Sequence, residues 1–421
     1  MEGKNIWIIN HYAIPPSIGG LSRHNYFAKE LIKRGYKVRI FSASAVHNTD
    51  INMIEDSEKN IFKEVDIDGV TYTFVKCSSY KGNGLSRIKN MLDFMFNVPK
   101  IKKAYKYETP DLLYASSPDL LATLNVVRLA KKMKKPCLVE IRDLWPMSVV
   151  EYKGMSEHNP IIVALYQMEK WIYKKADAIN FTMPGGKQYI IDKKWNNKID
   201  LNKIFNINNN INLKKLSSLN KINSQRDSDL DNDKFKVVYA GSIRAANYVD
   251  RIIDAAKIIS DKNIEDIEFL IYGDGNQVAE LKQKCEDEEI SNVIFKGRIP
   301  KDELHPILKK CHVGLLTYKN AKTWKYGGSQ NKVFEYLSGG LPIVTNINMK
   351  DSILQENNCG IDAEDNPQSI AEAILQIKNL PQDEYQAMCS RAKETAKDYD
   401  FVKLTDKLED AFEYAINSKK Q

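Results

Sequence analysis

Two charged residues, Lys332 and Glu335, have the types and spacing that could bind a nucleotide diphosphate. They lie in the segment K-Y-G-G-S-Q-N-K-V-F-E-Y-L-S-G-G-L-P-I-V-T-N, residues 325–346. The spacing of Val333 and Leu337 predicts a short helix with both charges on its polar face. A cation in the first turn opposes the helix dipole. A bound anion would remove this conflict, because the ammonium and the backbone N–H groups would bind it together.

The same segment also fits an ordinary surface helix with a solvated charged face. In both interpretations Gly339, Gly340 and Pro342 end the helix, and an apolar strand at 341–345 follows. A carboxylate one turn after the lysine could accept hydrogen bonds from two sugar hydroxyls. Phosphate and ribose bound by one helix would indicate a nucleotide, but spacing alone leaves both interpretations open.

Length and composition predict a folded protein of two domains. The 421 residues exceed one ordinary core and suit two domains of roughly 200 residues each. Charged residues at 28% and hydrophobic residues at 43% are typical of a soluble globular protein. No run of about 18 apolar residues could span a bilayer, and the N-terminus lacks the apolar region of a signal peptide. The six cysteines are scattered without a C-x-x-C pair, so we expect a cytoplasmic protein with reduced thiols.

The charge is distributed unevenly along the chain. Residues 1–200 contain 31 basic and 21 acidic side chains, a net charge of about +10, whereas the remainder carries about −3. A basic first half suggests an anionic partner, such as nucleic acid, a lipid surface or a pyrophosphate-linked substrate. No basic stripe interleaved with aromatic residues and no zinc-finger spacing is present, so the sequence argues against nucleic acid.

The order of predicted elements favours two parallel sheets. Strands alternating with helices are predicted at 6–11, 37–42, 112–116, 137–141 and 178–182, and again at 236–240, 267–272, 293–296 and 313–317. Residues 206–233, dense in Asn, Ser, Lys and Asp, are predicted to be a linker or exposed loop. Such alternation is typical of doubly wound sheets. We expect two Rossmann-like domains, 1–205 and 206–397, and a terminal helix within 398–421.

Several candidate residues directly follow predicted strands, where a parallel sheet binds its ligand. Gly19 and Gly20 follow the first strand, and a glycine loop there would let backbone approach a phosphate, although an ordinary tight turn fits as well. Gly241, Ser242 and Arg244 follow the first strand of the second domain. An arginine at that position could bind a pyrophosphate bidentately or be a solvated surface residue.

Two further patterns are weak evidence for a cofactor or a metal. Gly273 and Gly275 lack the third glycine of a dinucleotide fingerprint, so they do not argue for NAD. The alternating aspartates Asp227, Asp229 and Asp231 imitate a metal-binding D-x-D, but the residues that an EF-hand loop requires after them are missing. We interpret this run as a solvated loop and expect no metal site.

The segment around Lys332 resembles the nucleotide-sugar signature of the family 4 retaining glycosyltransferases, in the variant of bacterial enzymes that build surface polysaccharides. The positions that match are Tyr326, Gly327, Ser329, Asn331, Lys332, Phe334, Glu335, Tyr336, Gly340 and Pro342. Gln330 replaces the usual proline. The resemblance implies that Lys332 binds the diphosphate and Glu335 the ribose, and that Ser329 and Asn331 belong to the donor site. Gly327 stands where many members have a glutamate that contacts the donor sugar, so the resemblance leaves the sugar open.

The resemblance extends to other parts of the chain. Gly19 and Gly20, in P-P-S-I-G-G, match the donor-facing loop of the family, and Gly273, Gly275 and Arg298 border its nucleobase region. The family often has a lysine several residues after Arg244, where this chain has Tyr248, so Arg244 and Lys332 are expected to share the phosphate charge.

The sequence R-D-L-W-P, which begins at Arg142, resembles a second motif of the same group. Arg142 could stabilise phosphate charge leaving the sugar, and Asp143 could orient the acceptor hydroxyl. The alternative is an arginine–aspartate pair that only fixes the loop. In the family, two Rossmann-like domains face a cleft, an arrangement called GT-B, and the terminal helix crosses back to the first domain.

The implied activity is that of a hexosyltransferase that moves a sugar from a nucleotide diphosphate with retained anomeric configuration. UDP is the expected nucleotide, and an N-acetylated amino sugar is one candidate donor sugar. The expected acceptor is a saccharide or a lipid-pyrophosphate-linked saccharide in capsule or O-antigen synthesis. No cofactor and no metal are expected, because Arg and Lys would neutralise the leaving diphosphate. The alternatives are a nucleotide-sugar epimerase of the same fold and a non-catalytic nucleotide-sugar-binding protein.

Residues 85–107 combine apolar residues at helical spacing with basic ones. This pattern fits an interfacial helix that contacts anionic lipid at the inner face of the cell membrane. It equally fits an amphipathic core helix.

Overall fold

The computed structural model describes residues 3–18, 23–47, 49–82, 84–219, 227–349 and 351–419. The chain forms two units. The first contains Met1–Asn208 together with Phe401–Gln421, and the second contains Asn209–Asp400. No helix of the described residues is long and apolar enough to cross a bilayer.

The described strands are β1 (Asn5–Ile9), β2 (Lys37–Ala43), β3 (Phe62–Ile67), β4 (Val70–Val75), β5 (Leu112–Ser116), β6 (Cys137–Ile141), β7 (Ala178–Phe181), β8 (Ile204–Asn206), β9 (Phe235–Ala240), β10 (Ile267–Tyr272), β11 (Val293–Gly297), β12 (Val313–Leu316), β13 (Ile343–Thr345) and β14 (Gly360–Asp362).

The described α-helices are α1 (Arg23–Lys33), α2 (Leu85–Asn97), α3 (Ile101–Ala104), α4 (Leu120–Met133), α5 (Trp145–Lys153), α6 (Pro160–Lys175), α7 (Gly186–Asp192), α8 (Leu213–Leu219), α9 (Ser228–Asp231), α10 (Val249–Asp261), α11 (Val278–Asp287), α12 (Lys301–Leu308), α13 (Asn331–Gly339), α14 (Ile353–Glu356), α15 (Pro367–Lys378), α16 (Gln382–Lys397) and α17 (Phe401–Ser418).

The first sheet has the strand order β3-β4-β2-β1-β5-β6-β7-β8 in the part of the chain that the structure describes. Its neighbouring strands are parallel except β3 and β4, which form an antiparallel hairpin. The predicted parallel sheet is confirmed, and the sequence analysis did not predict this hairpin at its edge. The hairpin turns at Asp68 and Gly69, with φ of 53° and 77°, and Asp-Gly is a preferred pair for a two-residue hairpin turn.

The second sheet has the order β11-β10-β9-β12-β13-β14 over the described residues, and all its neighbouring strands are parallel. Val237 and Tyr239 of β9 pack on one side, in the cluster that includes α10 and α15. Val238 and Ala240 pack on the other, with residues of α12, α13 and α16. A strand covered on both faces is an apolar run, which is why β9 was recognisable from the sequence.

The C-terminal helix α17 completes the core of the first unit. Leu404, Leu408 and Phe412 are fully buried, at the spacing that places them on one helical face. They pack in a cluster with residues of β1, β2 and α1. Arg34, just after α1, donates a hydrogen bond to the carbonyl of Val402 at 3.0 Å.

The described part of residues 206–233 contains regular secondary structure, whereas a linker or exposed loop was predicted. Where described, they contain the end of β8 and the short helices α8 and α9. The N–H of Ile211 donates to the carbonyl of Tyr399 at 3.0 Å, and the N–H of Leu213 donates to Asp400 at 3.0 Å. Asn212, Asp227 and Asn232, which suggested a loop, accept hydrogen bonds from nearby backbone N–H groups.

Candidate functional site

The second sheet reverses its strand order between β9 and β12. In such sheets the loops after these two strands leave in opposite directions and open a crevice at the carboxyl edge. Gly241, Ser242 and Arg244 follow β9, and Thr317 and Tyr318 follow β12. The hydroxyl of Thr317 donates to the carbonyl of Asn247 at 2.8 Å, which ties the two loops together.

The helix α13 begins without a side-chain cap. Its N-cap residue, Gln330, makes no hydrogen bond from its side chain to the first turn. Gly340, with φ of 78°, ends the helix in the left-handed conformation. The first-turn N–H groups therefore have no side-chain acceptor from the N-cap, and such a helix start binds anions.

Lys332 is buried, which contradicts the alternative interpretation of a solvated charged face at this position. Only 9% of the residue is exposed. Its Nζ donates to the hydroxyl of Tyr239 at 2.8 Å and lies 4.0 Å and 5.2 Å from the ring centroids of Tyr239 and Tyr318. Burial lowers the pKa of Lys332 to about 7, against the attraction of the Glu335 carboxylate. Among the described residues, this ammonium lies between aromatic rings and has no direct carboxylate partner, which a buried cation usually requires.

The space that Lys332 occupies depends on Gly241. A Cβ added at Gly241 would lie 2.3 Å from Cε of Lys332, and the φ of Gly241 is 156°. Gly273 and Gly275 bring a second loop against the first, since added Cβ atoms would lie 1.8 Å from the carbonyl oxygen of Gly241 and 2.0 Å from that of Ile243. The two glycines of the Gly-Asp-Gly segment thus allow close packing of two loops.

Glu335 lies one turn after Lys332 and is largely buried. Its side chain is 17% exposed and its Oε1 lies 3.4 Å from Nζ of the exposed Lys301. The hydroxyl of Ser338 donates to the backbone carbonyl of Glu335 at 2.7 Å, which holds the last turns of the helix. A carboxylate with one exposed cation as its ion-pair partner keeps further acceptor positions for a ligand.

The remaining predicted donor-site residues of the second unit have different environments. Ser242, Arg244, Arg298 and Asn331 are exposed. Ser329 is engaged, since its hydroxyl accepts a hydrogen bond from the N–H of Asn209 at 2.6 Å. Ser329 therefore holds the segment that enters the second unit.

In the first unit, Arg142 and Asp143 directly follow β6. The N–H of Arg142 donates to the hydroxyl of Ser117 at 2.9 Å. Burial lowers the pKa of the Arg142 guanidinium, and the carboxylate of Glu140 opposes this shift. Asp143 is exposed and accepts a hydrogen bond from Ser148 at 2.7 Å. The predicted loop residues Gly19 and Gly20 lie outside the described residues.

A buried carboxylate that the sequence analysis missed lies two residues before Arg142. Glu140 is fully buried in β6. Its carboxylate accepts hydrogen bonds at 2.6 to 3.0 Å from Arg23, Tyr114, Ser116 and Asn180. Burial alone would raise the pKa of Glu140, but Arg23 with His24 holds it well below its ordinary value. This network fixes the strand end that carries Arg142, and an acidic residue inside an apolar strand was the available signal.

A second buried group joins loops at the carboxyl edge of the first sheet. His11 follows β1, and its Nδ1 lies 2.7 Å from Asp119 Oδ2 and its Nε2 lies 2.6 Å from Asn90 Oδ1. All three side chains are at most 2% exposed. Both ring nitrogens are engaged, so His11 links the segment after β1 to α2 and to the N-cap of α4. The sequence analysis missed this group, although a histidine at the end of the predicted first strand was visible.

The aspartates predicted to form a solvated loop are instead paired. Asp227 caps α9 by accepting the N–H of Asp229 at 3.1 Å. The carboxylates of Asp227 and Asp229 lie 2.8 and 2.7 Å from Nζ of Lys296, and Asp231 lies 2.6 Å from Lys310. Within the described residues, no group of three or more His, Cys, Asp or Glu side chains could hold a metal ion.

A family model described as "Glycosyl transferases group 1" matches residues 220–397, which is most of the second unit. The match includes the loop at Gly241, the helix α13 and the aromatic surroundings of Lys332. It supports a glycosyltransferase. No curated protein sequence matches the chain significantly.

Solved structures resemble the chain over nearly its whole length. A trehalose-6-phosphate protein from E. coli, bound with UDP-2-fluoro glucose, is 9% identical with a TM-score of 0.73 over 99% of each chain. Sucrose-phosphate synthase from Thermosynechococcus elongatus is 14% identical, with a TM-score of 0.68 over 97% of this chain and 98% of that one. Anabaena Alr3699/HepE in complex with UDP and glucose is 12% identical, with a TM-score of 0.64 over 97% of this chain and 99% of that one. The chain therefore has the GT-B fold of two α/β units with parallel sheets.

Proposed function

We propose that the protein is a retaining glycosyltransferase that transfers a sugar from UDP to a saccharide or lipid-linked saccharide. The observation that carries the proposal is the buried ammonium of Lys332 at the uncapped start of α13, beside the glycine loop after β9. A buried cation without a direct carboxylate partner is unfavourable unless an anion joins it. The diphosphate of a nucleotide sugar supplies that anion.

Further features of the second unit support a nucleotide diphosphate as the ligand. The N–H groups of the first turn of α13 and the exposed guanidinium of Arg244 add donors for the diphosphate. Glu335, one turn beyond Lys332, accepts the ribose hydroxyls. UDP is the nucleotide favoured, because the E. coli and Anabaena structures of the same fold are bound with UDP or a UDP sugar.

The chemical step is assigned to the first unit. Arg142 stabilises negative charge on the departing diphosphate, and Asp143 orients the acceptor hydroxyl. The buried Glu140 network supports this assignment, since it gives the strand end before Arg142 one fixed position. The family resemblance of the R-D-L-W-P motif supports retention of configuration.

The reaction is proposed to need no metal ion. Lys332, Arg244 and Arg142 supply positive charge for the diphosphate. Turnover that continues unchanged in EDTA would agree with this proposal. Loss of activity in EDTA and recovery with Mn²⁺ or Mg²⁺ would contradict it.

The acceptor is proposed to lie at an anionic membrane surface, as in the synthesis of a capsule or O-antigen. The helix α2 supports this, because Leu85, Ile88 and Phe96 are 83%, 52% and 61% exposed. Lys100, Lys102 and Lys103, which follow the helix, are exposed as well. Exposed apolar side chains beside lysines are typical of surfaces that bind anionic lipid.

Calorimetric binding of UDP and of 2′-deoxy-UDP to wild type and Glu335→Ala tests the nucleotide assignment. Wild type should prefer UDP, because Glu335 accepts a hydrogen bond from the 2′-hydroxyl. Glu335→Ala should bind UDP roughly ten- to hundredfold more weakly and lose the preference. Lys332→Met serves as the control, since it should weaken both nucleotides and keep the preference. Unchanged affinity of both variants would refute the site.

Product analysis separates the proposed transferase from its two alternatives. A transferase consumes UDP-sugar only when a saccharide acceptor is present. An epimerase of the same fold would release free sugar or an altered donor without an acceptor. A non-catalytic binding protein would bind UDP and leave the donor unchanged in both cases.

A further inference from the structure

The hydroxyl of Tyr239 connects two parts of the proposed phosphate site. It donates to the carbonyl of Ser242 at 2.7 Å and accepts a hydrogen bond from Nζ of Lys332 at 2.8 Å. The first bond fixes the loop after β9, and the second fixes the side chain of Lys332 on α13. Tyr239 is completely buried, so water does not offer replacement partners for these bonds.

The groups that face Lys332 determine its charge. Tyr239 approaches from β9 and Tyr318 from the segment after β12, each with its ring toward Nζ. On α13 itself, Glu335 attracts the ammonium but also pairs with Lys301. The hydroxyl of the neighbouring Tyr336 is engaged by the N–H of Ala240 at 2.9 Å. Lys332 thus lies among aromatic rings, with one shared carboxylate in its vicinity.

We propose that Tyr239 is a positioning residue for Lys332, and that binding of the nucleotide diphosphate transfers a proton from solvent to the Lys332 amine. The inference rests on the proposed nucleotide function. Burial leaves part of the Lys332 population neutral near neutral pH, since its pKa is lowered to about 7. A diphosphate beside Nζ favours the ammonium, so binding raises the pKa and takes up a proton.

The proton uptake predicts a specific pH dependence. UDP affinity should be constant with respect to this group below the pKa of the free protein. Above it, affinity should fall by up to about tenfold per pH unit until the pKa of the complex is reached. Measurements at about pH 8 exclude the terminal phosphate of UDP, which ionises at about 6.

Calorimetric titration of the full chain with UDP, in two buffers of different ionisation enthalpy at about pH 8, tests the proposal. The observed binding enthalpy of wild type should differ between the two buffers. The difference should be a fraction of the difference between the ionisation enthalpies of the two buffers, because less than one proton is taken up per UDP bound. Lys332→Met should bind weakly and show no buffer dependence. Tyr239→Phe should weaken UDP binding about tenfold. It should also begin its loss of affinity at a lower pH, because the ammonium loses its acceptor.

Tyr272→Phe is the matched control. Tyr272 is paired in register with Ala240 at the end of the neighbouring strand, and its buried hydroxyl has no hydrogen-bond partner in the described part of the chain. Its removal should leave affinity and pH dependence unchanged. Wild type that fails to bind UDP would refute the proposed function and this inference together. UDP binding with equal enthalpies in both buffers, or with Tyr239→Phe equal to Tyr272→Phe, would refute the inference alone. The wild-type buffer experiment decides even if Tyr239→Phe does not fold.

Discussion

At the scale of single residues, Lys332 illustrates how a binding group can reduce stability. In the folded protein its pKa is lowered to about 7 by burial, whereas in the unfolded chain an exposed lysine has an ordinary pKa of about 10.4. The unfolded chain therefore binds more protons between these values. The free energy of unfolding therefore rises with pH between the folded and the unfolded pKa of Lys332. Below the folded pKa, the destabilisation by the buried ammonium has its full value.

We predict that Lys332→Met stabilises the free protein while it weakens UDP binding. Replacing a buried charge by an apolar side chain of similar length should raise the free energy of unfolding by about 1–4 kcal/mol near neutral pH. The difference should shrink as the pH rises from about 7 and disappear above about 10.4, where the wild-type lysine is neutral in both states. Thermal unfolding of both proteins across this pH range measures the effect. A variant that is less stable than wild type at neutral pH would contradict the assigned burial cost.

At the scale of elements, the loop after β10 packs against the loop after β9, which borders Lys332 at Gly241. The N–H of Gly241 donates to the carbonyl of Tyr272 at 2.9 Å, and the N–H of Ile243 donates to the carbonyl of Asp274 at 2.9 Å. Because these two loops lie so close together, there is no room for a Cβ atom at Gly273 or Gly275. The glycines matter here because of space between elements, which local conformation alone does not reveal.

We predict that Gly241→Ala displaces Lys332 and weakens UDP binding at least tenfold, because the new methyl group would collide with Cε. Gly297→Ala is the control for backbone strain. Gly297 has φ of 72° and nothing within 4 Å of an added Cβ, so its substitution should cost about 1–2 kcal/mol of stability and leave UDP affinity intact. Calorimetry with UDP compares the two variants. Equal affinities would argue against displacement of Lys332.

The basic segment after α2 is the second element with a testable role. Replacing Lys100, Lys102, Lys103 and Lys106 with Gln should reduce co-sedimentation with anionic vesicles, because each lysine near such a surface contributes about 1 kcal/mol. Binding of wild type should fall as salt rises and be weak on zwitterionic vesicles. UDP affinity should not change, since the residues proposed to bind the phosphates lie outside this segment.

A charge-matched control separates this segment from net charge. The exposed residues Lys214, Lys262, Lys282 and Lys397 lie in the second unit, and their replacement with Gln removes the same total charge. This control should sediment like wild type. If both quadruple variants lose binding equally, net charge rather than the segment after α2 causes attachment.

At the scale of the whole molecule, each unit has its own hydrophobic core, and the chain returns to the first unit with α17. Phe412 is fully buried there, with its ring centroid 5.9 Å from that of Tyr114. The core of the second unit contains no residue of α17. The C-terminal helix therefore stabilises the unit that it joins.

We predict that Phe412→Ala destabilises the first unit by about 3–5 kcal/mol, the usual effect of removing a buried phenylalanine side chain. Val402→Ala, at a position of the same helix that is 42% exposed, should have little effect. Thermal unfolding should show a lowered first transition for Phe412→Ala alone, while UDP affinity of the folded protein stays at the wild-type value. A loss of UDP affinity would show that the two cores are coupled.

The sequence by itself determined the fold class and most of the elements. Residues 267–272 were predicted as a strand and form β10. A strand that is covered by helices on both faces is a mainly apolar run, and this pattern is visible in the sequence. Residues 252, 253, 256 and 259 are apolar and have the spacing of one helical face, and they lie in α10. The β3–β4 hairpin was missed, because β3 is a partly exposed edge strand with charged residues and its local pattern is weak.

For the candidate site, the sequence predicted which residues take part but not how they are arranged in space. The motif identified Lys332 and Glu335, but helical periodicity left open whether Lys332 is solvated or buried. Only the tertiary structure decided its burial, because the cavity is formed by β9, by the segment after β12 and by the missing Cβ of Gly241. The partners of Lys332 are 93 and 14 residues away in sequence, at Tyr239 and Tyr318. Periodicity reports which neighbours a residue has within its own helix, whereas burial and pKa depend on what the rest of the chain packs against it.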